Sequence, residues 1–150
     1  MDNKKINISE LLKMPENQFH PLVYVGGNPK VGKNVYVGLF SEINANKAEV
    51  IIGDNCDIAS FVSINAADSH KKAIGLADEI ERKNIKIGNN VFIGSHCFIG
   101  GGVTIGNNSV IGAGTIISKP CVIEPYSLVA GNPPVIKQGF YKNEKNNTAQ

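Results

Sequence analysis

Tryptophan is absent from this 150-residue chain, cysteine occurs three times, and aromatic residues make up only 7% of it. With so few rings, a narrow core of stacked aliphatic side chains is the one this composition can fill. Three cysteines are an odd number and no Cys-x-x-Cys occurs, which argues against a disulfide framework or a zinc-ribbon site. Cysteine usage of this kind points to a reducing, cytoplasmic setting. An excess of one charge is also missing, since Lys and Arg number 15 against 13 Asp and Glu. That balance argues neither for nor against nucleic acid, and no such partner is expected. No apolar run approaches the roughly 20 residues needed to span a bilayer, so no membrane insertion is expected. Met1-Asp2-Asn3-Lys4-Lys5 leads into no apolar segment, which argues against a secretory leader.

What is present is a spacing of six. A branched aliphatic stands at Ile87, Ile93, Ile99, Ile105, Ile111, Ile117, Ile123, Val129 and Val135. The same spacing occurs at Val31, Val37 and Ile43, and again at Ile52, Ile58 and Ile64. Neither a helix nor a simple strand has this period. A three-sided coil does, with six residues to a side and successive coils joined by parallel ladders about 4.8 Å apart. The repeat aliphatic (position i) then points inward and stacks on its copy. Strand alternation also turns position i+4 inward. That slot holds Val35, Ser41, Cys56, Val62, Val91, Cys97, Val103, Ser109, Thr115, Cys121 and Ser127. All three cysteines thus read as small core residues. Glycine follows the aliphatic at Gly88, Gly94, Gly100, Gly106 and Gly112, and is expected to supply positive φ at corners.

The chain reads as one domain with flanking segments. Residues 1–22 precede the repeat, with a short helix expected over Ile8–Met14 before Pro15. Residues 23–137 form the coil, with a small insertion at Asn44–Ala48 that shifts the phase by three. The tail 138–150, rich in Asn and Lys, reads as solvated and fraying. The strongest anomaly is the step from Ile64 to Ile87, 23 residues where the repeat allows six. An excursion over 66–84 must leave the rod there, and long loops in compact domains are usually functional or disordered. It begins Asn65-Ala66-Ala67-Asp68-Ser69-His70, which places a histidine at its root rather than at its tip.

The stretch Ile87-Gly-Asn-Asn-Val-Phe-Ile-Gly-Ser-His-Cys-Phe-Ile-Gly-Gly-Gly-Val-Thr-Ile-Gly-Asn-Asn-Ser-Val-Ile-Gly-Ala-Gly-Thr115, followed by Ser118-Lys119 and Val129-Ala-Gly-Asn-Pro-Pro134, resembles the hexapeptide-repeat acyltransferases. The likeness is greatest to the sugar and xenobiotic O-acetyltransferases and covers about residues 23–137. It implies an all-β fold, a left-handed parallel β-helix with one external loop and a short N-terminal helix. It implies acetyl-CoA as co-substrate, no metal, and a homotrimer with the donor lying between neighbouring rods. A histidine at the start of the external loop is the general base in that family, and His70 matches it, with Asp68 to orient it or to meet the acceptor. By position, Ser95, Ala113 and Gly114 match contacts to the pantetheine arm, and Ser118 and Lys119 match a pair near the nucleotide. Lys137 would take over a phosphate contact, because Asn132-Pro133-Pro134-Val135-Ile136-Lys137 lacks one basic residue of the family's usual ending. An acceptor-binding asparagine of galactoside-type enzymes is missing from Val37–Glu42. Phe40, Glu42, Asn65 and His96 stand as candidate acceptor contacts instead.

The resemblance implies O-acetylation of a sugar hydroxyl, as in surface-polysaccharide or sugar-precursor biosynthesis, by direct transfer. Two other readings stay open on the sequence: N-acetylation of a nucleotide-linked amino sugar, and a non-catalytic scaffold. A three-histidine zinc enzyme on the same rod fits poorly, because His20 lies outside the regular coils and His70 and His96 are widely spaced.

Overall fold

The computed structural model describes residues 6–144. The outermost parts of the N-terminal segment and of the tail, residues 1–5 and 145–150, lie outside it. Three parallel sheets close on one another as the walls of a prism. Wall A is built from Tyr24–Gly27, Glu42–Ala45, Ser63–Asn65, Phe98–Gly100 and Ile116–Ile117. Wall B is built from Lys30–Val31, Val50–Ile52, Ile85–Ile87, Val103–Ile105 and Cys121–Ile123. Wall C is built from Tyr36–Val37, Asp57–Ile58, Phe92–Ile93, Val110–Ile111 and Leu128–Ala130.

Strand register explains the sixfold spacing. On wall A, Val25, Ile43, Ile64, Ile99 and Ile117 stand directly above one another. On wall B the column is Val31, Ile52, Ile87, Ile105 and Ile123. On wall C it is Val37, Ile58, Ile93, Ile111 and Val129. The isoleucines of all three columns are fully buried. Each contributes about 1.5–3 kcal/mol by leaving water, and stacking like on like leaves no shape mismatch between coils. The i+4 slots are inward as expected, and their polar members are satisfied. Ser41 Oγ donates to the carbonyl of Ala59 (2.9 Å) and accepts from Val62 N (3.0 Å). Cys97 Sγ donates to the carbonyl of Gly112 (3.0 Å).

Three expectations need correction. Positive φ does not fall at the glycines of position i+1. It falls two residues later, at Asn34, Phe40, Asn55, Phe61, Asn90, His96, Asn108 and Tyr126, and at Gly102 and Gly114. The i+1 glycines are there because adjacent coils nearly touch: a Cβ added at Gly94 would lie 2.5 Å from Ala113 N. Val135 is not a core residue either. It is 61% exposed, because Val135–Lys137 turns back and pairs antiparallel with Leu128–Ala130 on wall C. The tail's first part is tied to the rod by hydrogen bonds. The Gln138 amide accepts from Glu124 N (2.8 Å) and Ser127 Oγ (3.0 Å) and donates to Val122 O (3.2 Å), and Tyr141 N donates to Tyr126 O (2.8 Å).

The N-terminal helix is shorter than expected, Ile8–Leu11, and ends in a turn at Lys13 (φ 52°). The excursion is an antiparallel ribbon, Ala67–Asp68 against Glu81–Arg82, with a helical turn His70–Ala73 between. It leaves the rod at the corner between walls A and B. No helix among the described residues is long and apolar enough to cross a membrane.

Replacing Ile99 by Asp buries a carboxylate with no partner at the axis of the rod, so this variant is expected to lose its cooperative thermal transition in circular dichroism. Gly94→Ala is expected to lower Tm by forcing two coils apart, with a cost of about 1–3 kcal/mol. Soluble, normally melting Ile99→Asp protein would contradict the inward register.

Candidate active site

Two grooves open on wall A, one at each of its edges. The first, about 530 Å³, lies under the excursion and is lined by Asn65, Asp68, His70, Phe98, Gly100 and Ser118, among others. Its histidine is held by its own neighbour in sequence. Asp68 Oδ1 accepts from His70 N (3.0 Å) and lies 2.5 Å from His70 Nδ1. An ionised carboxylate can only accept, so Nδ1 carries the hydrogen, and in the neutral form of the ring the lone pair of Nε2 is left for another partner. The backbone hydrogen bond from His70, then the imidazole itself, hold the Asp68 carboxyl below the usual aspartate range. Both side chains are more than half exposed. Asn65 Oδ1 accepts from Ala67 N (2.9 Å), which fixes the first residue of the ribbon. Glu81, opposite Asp68 in the ribbon, pairs with Lys83 (2.7 Å) and Lys71 (3.4 Å).

The second groove, about 560 Å³, lies at the corner between walls C and A. Three rings stack along that corner: Phe40 on Phe61 with centroids 5.2 Å apart, and Phe61 on His96 at 4.9 Å and 6° between planes. All three occupy the left-handed corner position, and Phe40 and Phe61 are 56% and 49% exposed. Beside them, Glu42 Oε1 accepts from Ser63 Oγ at 2.5 Å. Leu12, Met14 and Leu22 of the N-terminal segment close the far side. The two grooves approach each other along the strands of wall A, where Ser63 and His96 of the second lie two positions from Asn65 and Phe98 of the first.

The residues singled out from sequence therefore divide. His70, Asp68, Asn65 and Ser118 share the first groove. Phe40, Glu42 and His96 share the second. Ser95, Ala113 and Gly114 follow the second groove along the same corner, with Gly114 N donating to Ser95 O (2.8 Å). Lys119, exposed, adjoins Ser118 at the opposite edge of wall A. Lys137 is on the reversed terminal strand, with Nζ 5.3 Å from the ring centre of Phe140. Phe61 and Ser63 were not singled out. Phe61 stands three residues after Ile58, as Phe40 and His96 follow Val37 and Ile93, so its place was marked in the repeat. The thiols of Cys97, Cys56 and Cys121 are all raised by burial, which makes each a poor nucleophile.

Residues 84–119 match the family described as bacterial transferase hexapeptide (six repeats). The sixfold register extends beyond that match, from Val31 to Val129. Among solved structures, a galactoside acetyltransferase in complex with coenzyme A superimposes with a TM-score of 0.70 and 37% identity, over 84% of this chain and 63% of that one. A polySia-specific acetyltransferase gives 0.63 and 29%, over 78% and 61%. A maltose O-acetyltransferase from Clostridium difficile gives 0.63 and 27%, over 92% and 77%. The chain thus spans under two thirds of the length of the first two. No curated protein matches it in a sequence comparison. The likeness makes the prism a left-handed parallel β-helix.

The depressed Asp68 pKa has a checkable sign. Its carboxylate persists as pH falls through the ordinary aspartate value of 3.8 and is lost only below it. Carboxyl carbon NMR across an acid titration is expected to place the Asp68 midpoint under 3.8. In His70→Ala the midpoint should move back up; an unmoved midpoint would deny the pairing.

Proposed function

We propose that this protein is an acetyl-CoA-dependent O-acetyltransferase that transfers acetyl directly to a sugar hydroxyl, with His70 as general base. The observation that carries the reading is the Asp68–His70 pair, oriented with Nε2 free and set in a groove on the wall of a coil that resembles CoA-bound and sugar-acetylating enzymes. The acceptor hydroxyl gives its proton to Nε2 as its oxygen attacks the thioester carbonyl. The tetrahedral intermediate collapses with loss of the C–S bond, and the imidazolium returns the proton to the departing thiolate. Asp68 holds the tautomer and stabilises the imidazolium, and general-base help of this kind contributes roughly 10²–10⁴ in rate. Backbone N–H groups of the wall stabilise the developing oxyanion. Buried, unactivated thiols support a route without an acyl-cysteine.

Ser95, Ala113 and Gly114 offer a corner of small side chains along which a thin pantetheine arm can lie against backbone. Ser118, Lys119 and Lys137 are the residues assigned to the nucleotide end, the lysines as point charges for phosphate. Those positions are spread over two corners and the capped end of one rod. That spread supports a homotrimer, in which one donor touches two neighbouring subunits. For the acceptor, Asn65 lies beside His70, while Phe40 and His96 present flat faces and Glu42 a carboxylate, a combination suited to the apolar face and hydroxyls of a pyranose. On this reading the reaction runs in the cytoplasm, with a polysaccharide or its sugar precursor as the acceptor.

In a thiol-release assay with acetyl-CoA and a panel of sugars, amino sugars and their nucleotides, turnover is expected with a hydroxyl acceptor. His70→Ala should lower kcat by about 10²–10⁴ while leaving Tm and oligomeric state unchanged. Cys97→Ala should keep its turnover. Activity confined to amine acceptors and retained in His70→Ala would replace this reading by N-acetylation, and calorimetry showing no CoA binding would leave a scaffold.

A further inference from the structure

The rod departs from its repeat at two places, and they touch. On wall B, Val31 pairs with Ile52 and Ile52 with Ile87, steps of 21 and 35 residues where Ile87 to Ile105 takes 18. The first surplus is the three-residue insertion within Asn44–Ala48, and the second is the excursion. Both leave the corner between walls A and B, on successive coils. The insertion is internally braced: Asn44 Oδ1 accepts from Asn46 N (3.2 Å) and Asn46 Nδ2 (2.9 Å). Its outward face carries the Asn46 carbonyl, which accepts from Arg82 Nη1 at 2.8 Å in a partly buried contact. The outgoing arm is tied to the same insertion, with Ala66 N donating to Asn44 O (3.1 Å). The two arms are tied to each other where Lys83 N donates to Ala66 O (3.0 Å).

We infer that Arg82 is a positioning residue for the Asp68–His70 pair, acting by gripping the Asn44–Ala48 insertion. This rests on the proposed acetyl transfer for its kinetic readout only. Arg82 faces Ala67 across the ribbon, and Glu81 faces Asp68, so the angle at which the return arm leaves the rod sets the height of His70 over Phe98 and Gly100. The ion pairs of Glu81 with Lys83 and Lys71 lie inside the excursion. They stiffen it without fastening it to the rod. Asn84 fastens only the point where the chain rejoins wall B, accepting from Glu49 N (2.9 Å). Among the described residues, the guanidinium is the side-chain hydrogen bond that joins the ribbon itself to the neighbouring coil. A planar donor held at one carbonyl constrains direction as well as distance. Because the acceptor is main chain, the identity of residue 46 matters less than the presence of the insertion.

The test compares Arg82→Ala, Arg82→Lys and Asn46→Ala in the full chain. Arg82→Ala is expected to lower kcat by about tenfold or more, since misplacement of a reacting group by an ångström is costly. KM for acetyl-CoA and Tm should stay near the parent's, because the columns of the rod are untouched. Arg82→Lys should recover part of kcat, and Asn46→Ala, which keeps the carbonyl, should retain most of it. Amide exchange should quicken across Ala67–Arg82 in Arg82→Ala and stay unchanged at Ile99 and Ile105. Unchanged kcat and exchange in Arg82→Ala would overturn the inference, as would a kcat loss matched by a fall in Tm. If the parent acetylates no acceptor, the functional reading fails by itself and amide exchange alone decides: quickening confined to the ribbon supports the bracket, and no change refutes it.

Discussion

Every feature of this molecule answers to one constraint: the inward aliphatic of each side must land on its copy in the next coil. A six-residue side leaves no slack, because the backbones of neighbouring coils approach so closely that even a methyl group at Gly94 would meet Ala113. Residues that do not fit the period can only be expelled, and only at corners. The rod therefore converts extra sequence into outward structure without disturbing its core. Isoleucine stacked on isoleucine also lets a chain with 42% hydrophobic residues and no tryptophan bury a continuous core.

The excursion draws its order from that stiffness. Its root is one residue from a wall strand, and Asp68 and His70 are close enough in sequence for the carboxylate to bond both the backbone and the ring of the histidine. Such a pair needs no distant element to assemble it. What distant elements supply is direction, and the insertion one coil below is placed to provide it. Wall A thus carries polar chemistry at one edge and stacked rings at the other, with a flat strip of strand between.

Much of this was legible in the sequence. The column residues, the inward cysteines, the phase shift at Asn44–Ala48 and the excursion all follow from counting in sixes, because the period is a direct image of the register. Corner geometry was misplaced, because Gly88 and Gly94 advertise conformational freedom while serving close approach. At the left-handed positions Asn34, Asn55, Asn90 and Asn108 do favour that conformation, whereas Phe40, Phe61 and Tyr126 carry no such signal. Val135 kept the phase but not the role, since periodicity says nothing of a chain that reverses. The grip of Arg82 on a backbone carbonyl was invisible, because a main-chain acceptor has no letter in the sequence.

The reversed terminal strand has a consequence beyond tidiness. A stack of parallel coils ends in unpaired strand edges, which are templates for the first coil of another copy. Such a newcomer would need three parallel edges at once. Val135–Lys137 runs against the others on wall C, and Gln138 fills the neighbouring corner. One third of the template is thereby spoiled, and what would otherwise be a seed for end-to-end fibres becomes an object of finite length.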